Sequence, residues 1–383
     1  MLQDQTFLRA PGPTPVPDRV KHAMNEPMIG HRSPSFAQLF ADTSERLKPI
    51  FGTTQPVYTL TASGTAALEA AVTNTVPKGE KVIVVVAGAF GDRFANICEH
   101  NGYPTHRLEV EWGRSVSPED LKNTLQEHPD AKAVLLTYNE TSTGVMHPIG
   151  ELSEKVHQYS EALVLVDGVS CIGGVPGNMD HWNLDVLVTG SQKAMMLPPG
   201  LSFVSLSKRA EAKLTDGNPS FYLNLKAYQK QLENSMTPYT PAVSLIQGVK
   251  EVSEMMKEET LDHVFERHHL MKDMTRAGIK ALGLPLLTSE EDASPTVTSV
   301  KETAEFKPDE LRSLLSKQFG LTLAGGQKEL KGKIFRIGHM GYCSPVDILT
   351  TLSMIEMGLK QLGVEIELGK GVKAAQEVYV QNV

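Results

Sequence analysis

The stretch Leu187–Gly200 reads LVTGSQKAMMLPPG and sets one lysine, Lys193, directly behind an apolar run. Its neighbours are hydroxyl, amide and thioether side chains, with no acid in the stretch. Most lysines are solvated surface charges, yet a lysine between an apolar strand and a Met-Met-Leu-Pro-Pro-Gly turn is hard to place at the surface. Desolvation lowers the pKa of an ammonium group and favours Schiff-base chemistry.

Three other clusters carry reactive types. Asp167 ends the apolar run of Val164-Leu165-Val166-Asp167-Gly168-Val169, where a carboxylate either caps a turn or holds a cation. A pyridinium nitrogen is one cation that fits. Ser63-Gly64-Thr65 leads from a strand-like stretch into a helix-like one, and backbone N–H groups with two hydroxyls at a helix start make a phosphate cradle. An ordinary N-cap gives the same sequence. Arg336, in FRIGHMG over Phe335–Gly341, can clamp a carboxylate bidentately, though a surface ion pair is the commoner fate of one arginine.

These residues need a scaffold. Near-continuous apolar runs at Val82–Ala87, Ala133–Thr137, Ala162–Val166, Leu184–Thr189 and Leu201–Leu206 predict strands covered on both faces. Thr65–Val76 and Gly150–Ser160 space apolar residues three and four apart, as crossover helices do. The class is α/β with a mainly parallel sheet. Pro219–Pro241 shows no sustained period and reads as an irregular connection. Val243–Leu282 has long helical periodicity, and the remainder suggests a smaller α/β domain. It has strands at Thr296–Lys301, Leu321–Leu323 and Ile334–Ile337, helices at Pro308–Gln318 and Pro345–Leu362, and a polar, peripheral tail after Gly363. The expected division is an arm over 1–18, a large domain over 19–245 and a small domain over 246–383.

Other chemistries lose their support. The 383 residues contain no G-x-G-x-x-G, no G-x-x-x-x-G-K-[ST], no G-x-S-x-G and no H-E-x-x-H. Three scattered cysteines form neither a disulfide framework nor a zinc pair, so a reducing, cytoplasmic setting is the expectation. A net charge of −8 without a basic block argues against nucleic acid, and no run approaches the ~20 apolar residues of a membrane span. His268 and His269 sit in a helical stretch, where neighbours diverge, and read as surface histidines rather than metal ligands.

Taken together, from about Arg9 to Leu362, the clusters resemble the class V pyridoxal-phosphate aminotransferases of fold type I, in the serine–pyruvate/alanine–glyoxylate branch. Ser191-Gln192-Lys193-Ala194 followed by Pro198-Pro199-Gly200 is the most specific element. The resemblance implies that Lys193 forms the Schiff base with pyridoxal 5'-phosphate and shuttles the substrate proton. Asp167 would pair with the pyridinium nitrogen. Phe90 would stack on the ring, where better-known members often carry Trp, and Val169 would pack on the opposite face. Ser63, Gly64, Thr65 and Gln192 would take the phosphate, and Thr141 the ring hydroxyl. Tyr239 or Thr240 would complete the phosphate site from a neighbouring subunit, which implies a homodimer with shared active sites.

Arg336 would bind the substrate carboxylate, with the backbone near Pro11-Gly12-Pro13 closing the other side. One arginine and no evident second cationic clamp favour small monocarboxylates: serine or alanine as donor, glyoxylate or pyruvate as acceptor. Gly30-His31-Arg32-Ser33-Pro34 is similar to relatives acting on ureidoglycine or 2-aminoethylphosphonate, so His31 and Arg32 either read a substrate or form a solvated loop. A cysteine desulfurase or lyase of the same fold would need a nucleophile on a mobile loop, and Cys343 lacks a glycine-rich context. A non-catalytic subunit of a redox complex is the remaining alternative, against which stand Lys193, Asp167 and Arg336.

Overall fold

Alternate residues of one strand, Val82–Val86, divide between two hydrophobic cores, Ile83 and Val85 on one side and Val82, Val84 and Val86 on the other. That two-sided burial is why the strand reads as an unbroken apolar run. A computed structural model, describing residues 6–382, places it in a seven-stranded sheet. Residues 1–5 of the expected arm, and residue 383, lie outside the described residues. The strands are β1 (Val57–Leu60), β2 (Val82–Val86), β3 (Thr105–Glu109), β4 (Ala133–Thr137), β5 (Leu163–Asp167), β6 (Val186–Gly190) and β7 (Ser202–Leu206). Their spatial order is β1-β7-β6-β5-β4-β2-β3, with β7 antiparallel to both neighbours and the other pairs parallel.

Helix α1 (Gly64–Thr75) follows β1, and α2 (Ala89–His100) follows β2. A separate three-stranded antiparallel sheet consists of β8 (Val297–Lys301), β9 (Ala324–Gly325) and β10 (Ile334–Gly338), with β10 central. Its core, around Phe335, Ile337, Leu352 and Ile355, is separate from the two that sandwich the large sheet.

Several elements differ from expectation. The Pro219–Pro241 connection contains a helix, Leu225–Leu232, capped by the Asn224 side chain and anchored by buried Leu225 and Tyr228. The long periodic stretch is two helices, α3 (Val243–Glu259) and α4 (Leu261–Ala281), broken at Thr260, whose φ is +69°. The polar tail forms a further helix, α5 (Lys370–Asn382). It docks through small residues: Gly278 of α4 approaches the Gly371 backbone, and Ala375 is buried. The buried Glu356 carboxylate accepts the amides of Gly369, Gly371 and Val372 at 2.6, 2.8 and 3.1 Å, capping α5 from outside.

His268 is fully buried, correcting the expectation of a surface histidine; only His269 is exposed. Its Nδ1 donates to the Val264 carbonyl at 2.6 Å and its Nε2 accepts the Gly341 amide at 2.9 Å, so the ring is a neutral bridge between α4 and the turn after β10. His147 and His339 are buried too, and burial pushes the three pKa values down to about 4 for His147 and about 3 for His268 and His339. An unfolded histidine titrates near ~6.5. Below that pH the unfolded chain gains protons that the folded chain refuses, so stability is lost as pH falls from about 6.5 toward about 4. The melting midpoint is expected to be level above pH 7 and to decline between pH 6.5 and 5. Melts recorded across that window check this, and a level profile contradicts it.

Candidate active site

At the C-terminal ends of the central strands, where open α/β sheets bind ligands, lies a cavity of about 270 Å³ that also takes in residues of the three-stranded sheet and the loop beside it. Ser63, Gly64, Thr65, Phe90, Thr141, Asp167, Val169, Gln192, Lys193 and Arg336 all line it. These positions span 274 residues of chain, from Ser63 to Arg336, and only the fold brings them together. A larger groove, about 950 Å³, opens beside Trp182 and His157 and contains none of them.

Lys193 follows β6 in the turn Ser191–Met196. Its Nζ donates to the Pro11 carbonyl at 2.6 Å, and its own carbonyl accepts Thr14 Oγ1 at 2.9 Å. The N-terminal segment therefore closes the cavity, as the Pro11-Gly12-Pro13 expectation had it. Gly12, at φ +104°, is required there, since a Cβ would fall 2.4 Å from Lys193 Cδ and Nζ. The same segment reaches the chain around the three-stranded sheet: Phe7–Leu8 pairs in parallel with Leu321–Thr322, the Gly338 amide donates to the Arg9 carbonyl at 2.6 Å, and Arg9 pairs with Asp347 at 2.7 Å. Burial, with help from the Arg336 charge, pulls the Lys193 pKa down to about 8, against the pull of Asp167. About a tenth of the amine is thus free at pH 7, far more than an ordinary lysine provides.

Asp167 ends β5 and does what the turn reading required: it accepts the Val169 amide at 2.9 Å through Oδ1. Oδ2 has no protein partner among the described residues, which leaves it for a cation. Burial pushes the Asp167 pKa up to about 6; the Val169 amide opposes this, the Glu140 charge adds to it, and Arg93 and Lys193 oppose it. Arg336, on β10, spends Nε on the Gly325 carbonyl at 3.0 Å and Nη1 on the Thr141 carbonyl at 2.8 Å. Nη2 has no protein partner among the described residues.

The family described as aminotransferase class-V matches residues 6–340. The chain belongs to the class V aminotransferases. The aminotransferase is 43% identical to an uncharacterised aminotransferase of Methanocaldococcus jannaschii, with 98% of each chain covered. It is 42% identical to the small subunit of a soluble hydrogenase of Synechococcus, covering 98% of this chain and 99% of that one. The solved ureidoglycine–glyoxylate aminotransferase of Bacillus subtilis superposes with a TM-score of 0.93 at 30% identity, covering 99% of each chain.

Some expected residues of the aminotransferase lie outside the cavity. Tyr239 stacks on Tyr222, with ring centroids 5.1 Å apart, and donates to the Phe221 carbonyl at 2.9 Å. Thr240 is exposed beside His31. Arg32 donates to the Thr237 and Pro238 carbonyls at 2.6 and 3.2 Å, so within this chain it braces that loop instead of lining the cavity. Cys343 is buried and absent from the cavity wall, and burial raises its thiol to about 11, the opposite of a desulfurase nucleophile.

Three lining or supporting residues went unread in the sequence. Gln327 joins the wall from the loop beside β9, and Arg93 from α2, one turn past Phe90. Arg93 overturns the expectation of a single cationic group. Glu140, in Asn139-Glu140-Thr141-Ser142-Thr143-Gly144, is fully buried behind Thr141. An acid just past a buried strand was the signal that singled out Asp167, and it applied to Glu140 as well.

Proposed function

We propose that this aminotransferase uses pyridoxal 5'-phosphate to move the amino group of a small amino acid, serine or alanine, to a small oxo acid, glyoxylate or pyruvate. The observation that carries the reading is Lys193: a half-buried amine, lowered to about 8, in one cavity with Asp167 and Arg336. The acceptor follows the Bacillus subtilis relative, whose name includes glyoxylate.

The lining fits the cofactor. Gln192 has a buried side-chain oxygen with no hydrogen-bond partner, so its amide is free to turn toward a ligand. Beside it, the first-turn amides of α1 would receive the phosphate, with the hydroxyls of Ser63, which caps the Ala66 amide, and Thr65. Phe90 and Val169 offer two faces for a flat ring, and Asp167 Oδ2 is the acceptor for a protonated ring nitrogen. When bound, pyridoxal phosphate supplies an aldehyde that takes up the amino group and a ring that withdraws electrons.

The protein's part is then to hold and move. Arg336 Nη2 orients the substrate carboxylate, Lys193 Nζ takes the α-proton and returns it, and the Pro11 carbonyl keeps Nζ at the cavity wall between these events. Tyr239 or Thr240 reaches the phosphate of the partner's site in a homodimer. The described residues contain no helix long and apolar enough to cross a membrane.

Arg93 favours a second reading, a donor with a second anionic group. It lines the cavity, lies 4.8 Å from the Phe90 ring centroid and takes part in no ion pair among the described residues. The test is the visible spectrum of the cofactor-loaded protein, titrated with L-alanine, L-serine, L-aspartate or 2-aminoethylphosphonate without an acceptor. A shift to the aminated form with alanine or serine supports the first reading, and a shift with aspartate alone supports the second. Failure to load pyridoxal phosphate leaves the reading of a non-catalytic redox subunit.

A further inference from the structure

Glu140 has no reacting atom to touch, yet its surroundings are built to hold a charge. With 0% of its surface exposed, its carboxylate accepts the Phe90 amide at 3.0 Å, the Gly91 amide at 2.9 Å, the Ser142 amide at 3.1 Å and the Ser142 hydroxyl at 2.5 Å. Ser142 Oγ in turn accepts the Ala89 amide at 2.9 Å. Three backbone N–H groups converge on the carboxylate and favour its charged form against the burial that pushes its pKa up.

The arrangement replaces a missing cap. Helix α2 begins after Gly88, which has no side chain, and a Cβ there would lie 2.5 Å from Glu140 Cγ and Ser142 Oγ. The first-turn amides of α2 are therefore satisfied by a loop about 50 residues further along the chain. That loop is pinned on either side of Glu140. The Asn139 amide donates to Ser170 Oγ at 2.7 Å and Thr296 Oγ1 at 3.0 Å, and the Thr141 carbonyl accepts Arg336 Nη1 at 2.8 Å. Consecutive residues thus grip the turn after β5, the start of α2 and the arginine of β10.

We infer that Glu140 is a positioning residue that fixes the ring-bearing end of α2 and the carboxylate-binding Arg336 relative to one another. The inference rests on the roles given to Phe90 and Arg336 in the proposed function. The anion also acts at a distance, raising the pKa of Asp167 and helping Arg336 keep its proton against burial. Asp167 is faced in addition by the Val169 amide, Arg93 and Lys193, and Arg336 by Arg312.

The test compares Glu140→Gln, which keeps the shape and removes the charge, with Glu140→Asp, which keeps the charge. Two readouts are used: hydrogen exchange of the Ala89–Gly91 amides in the cofactor-free protein, and the kinetics of the loaded enzyme. In Glu140→Gln the exchange is expected to quicken, and KM for both carboxylate substrates to rise about tenfold with a smaller fall in kcat. The acid limb of kcat/KM moves to lower pH, because Asp167 no longer feels the anion. Glu140→Asp restores the position of that limb. Faster exchange with unchanged KM and an unmoved limb overturns the inference and makes Glu140 a helix cap only. If Glu140→Gln does not fold, Ser142→Ala, which loosens the same carboxylate and leaves its charge, is expected to raise KM about threefold; an unchanged KM again overturns it. Failure of the underlying reading is distinct, since the unsubstituted protein would then show no transamination at all.

Discussion

Replacing Lys193 with alanine is expected to lower turnover by about 10⁴-fold, because in the proposed function one side chain supplies both the covalent attachment and the proton carrier. The geometry leaves no substitute. Among the described residues lining the cavity Lys193 is the only lysine, and no histidine lies there. Its half-buried amine is lowered to about 8 by burial and by the nearby Arg336 charge, conditions that a surface lysine elsewhere cannot reproduce. Gly12 and the Pro11 carbonyl shape the space the chain leaves, so a small primary amine is expected to restore part of the lost turnover. Single-turnover kinetics with and without added methylamine check this. Turnover by Lys193→Ala at the unsubstituted rate would falsify the mechanism.

Arg336→Ala is expected to act on binding more than on chemistry, raising KM for donor and acceptor about 100-fold while kcat falls far less. Hydrogen bonds to a charged group are worth about 1.5–3 kcal/mol, and a buried guanidinium is at the upper end of that range. The side chain is 4% exposed, and burial lowers its pKa to about 10, so it still carries its charge at neutral pH. Arg336→Lys keeps a charge but loses the planar fork that engages Gly325 and Thr141, so it is expected to recover little. Steady-state kinetics with each substrate varied at saturation of the other separate the two parameters. A fall confined to kcat would remove Arg336 from the role of carboxylate clamp.

Lys193 and Asp167 were legible because each is a charged residue closing a run that has to be buried on both faces; such a residue demands a reason. The central strands were legible on the same ground. β3 was not, since it is an edge strand, THRLE, whose half-exposed residues never form an apolar run. The α5 helix was missed because it packs through Gly371 and Ala375, and small residues carry little hydrophobic signal. Glu140 stayed hidden for a different reason. Its partners are backbone amides of Phe90 and Gly91, and a main-chain donor has no letter in the sequence. Arg93 looked like any exposed helical arginine until α2 was placed against the cavity.

The single run of backbone from Phe7 to Thr14 pairs with Leu321–Thr322 in a two-stranded sheet and, a few residues later, supplies the acceptor that holds Lys193 Nζ. Any opening of the cleft pulls on both ends of that run. As the Pro11 carbonyl retreats, water reaches Nζ and relieves the burial that lowers the amine to about 8. Opening of the cleft and the basicity of Lys193 are therefore one coordinate in this molecule, and the closed arrangement is the one in which the amine gives up its proton most readily.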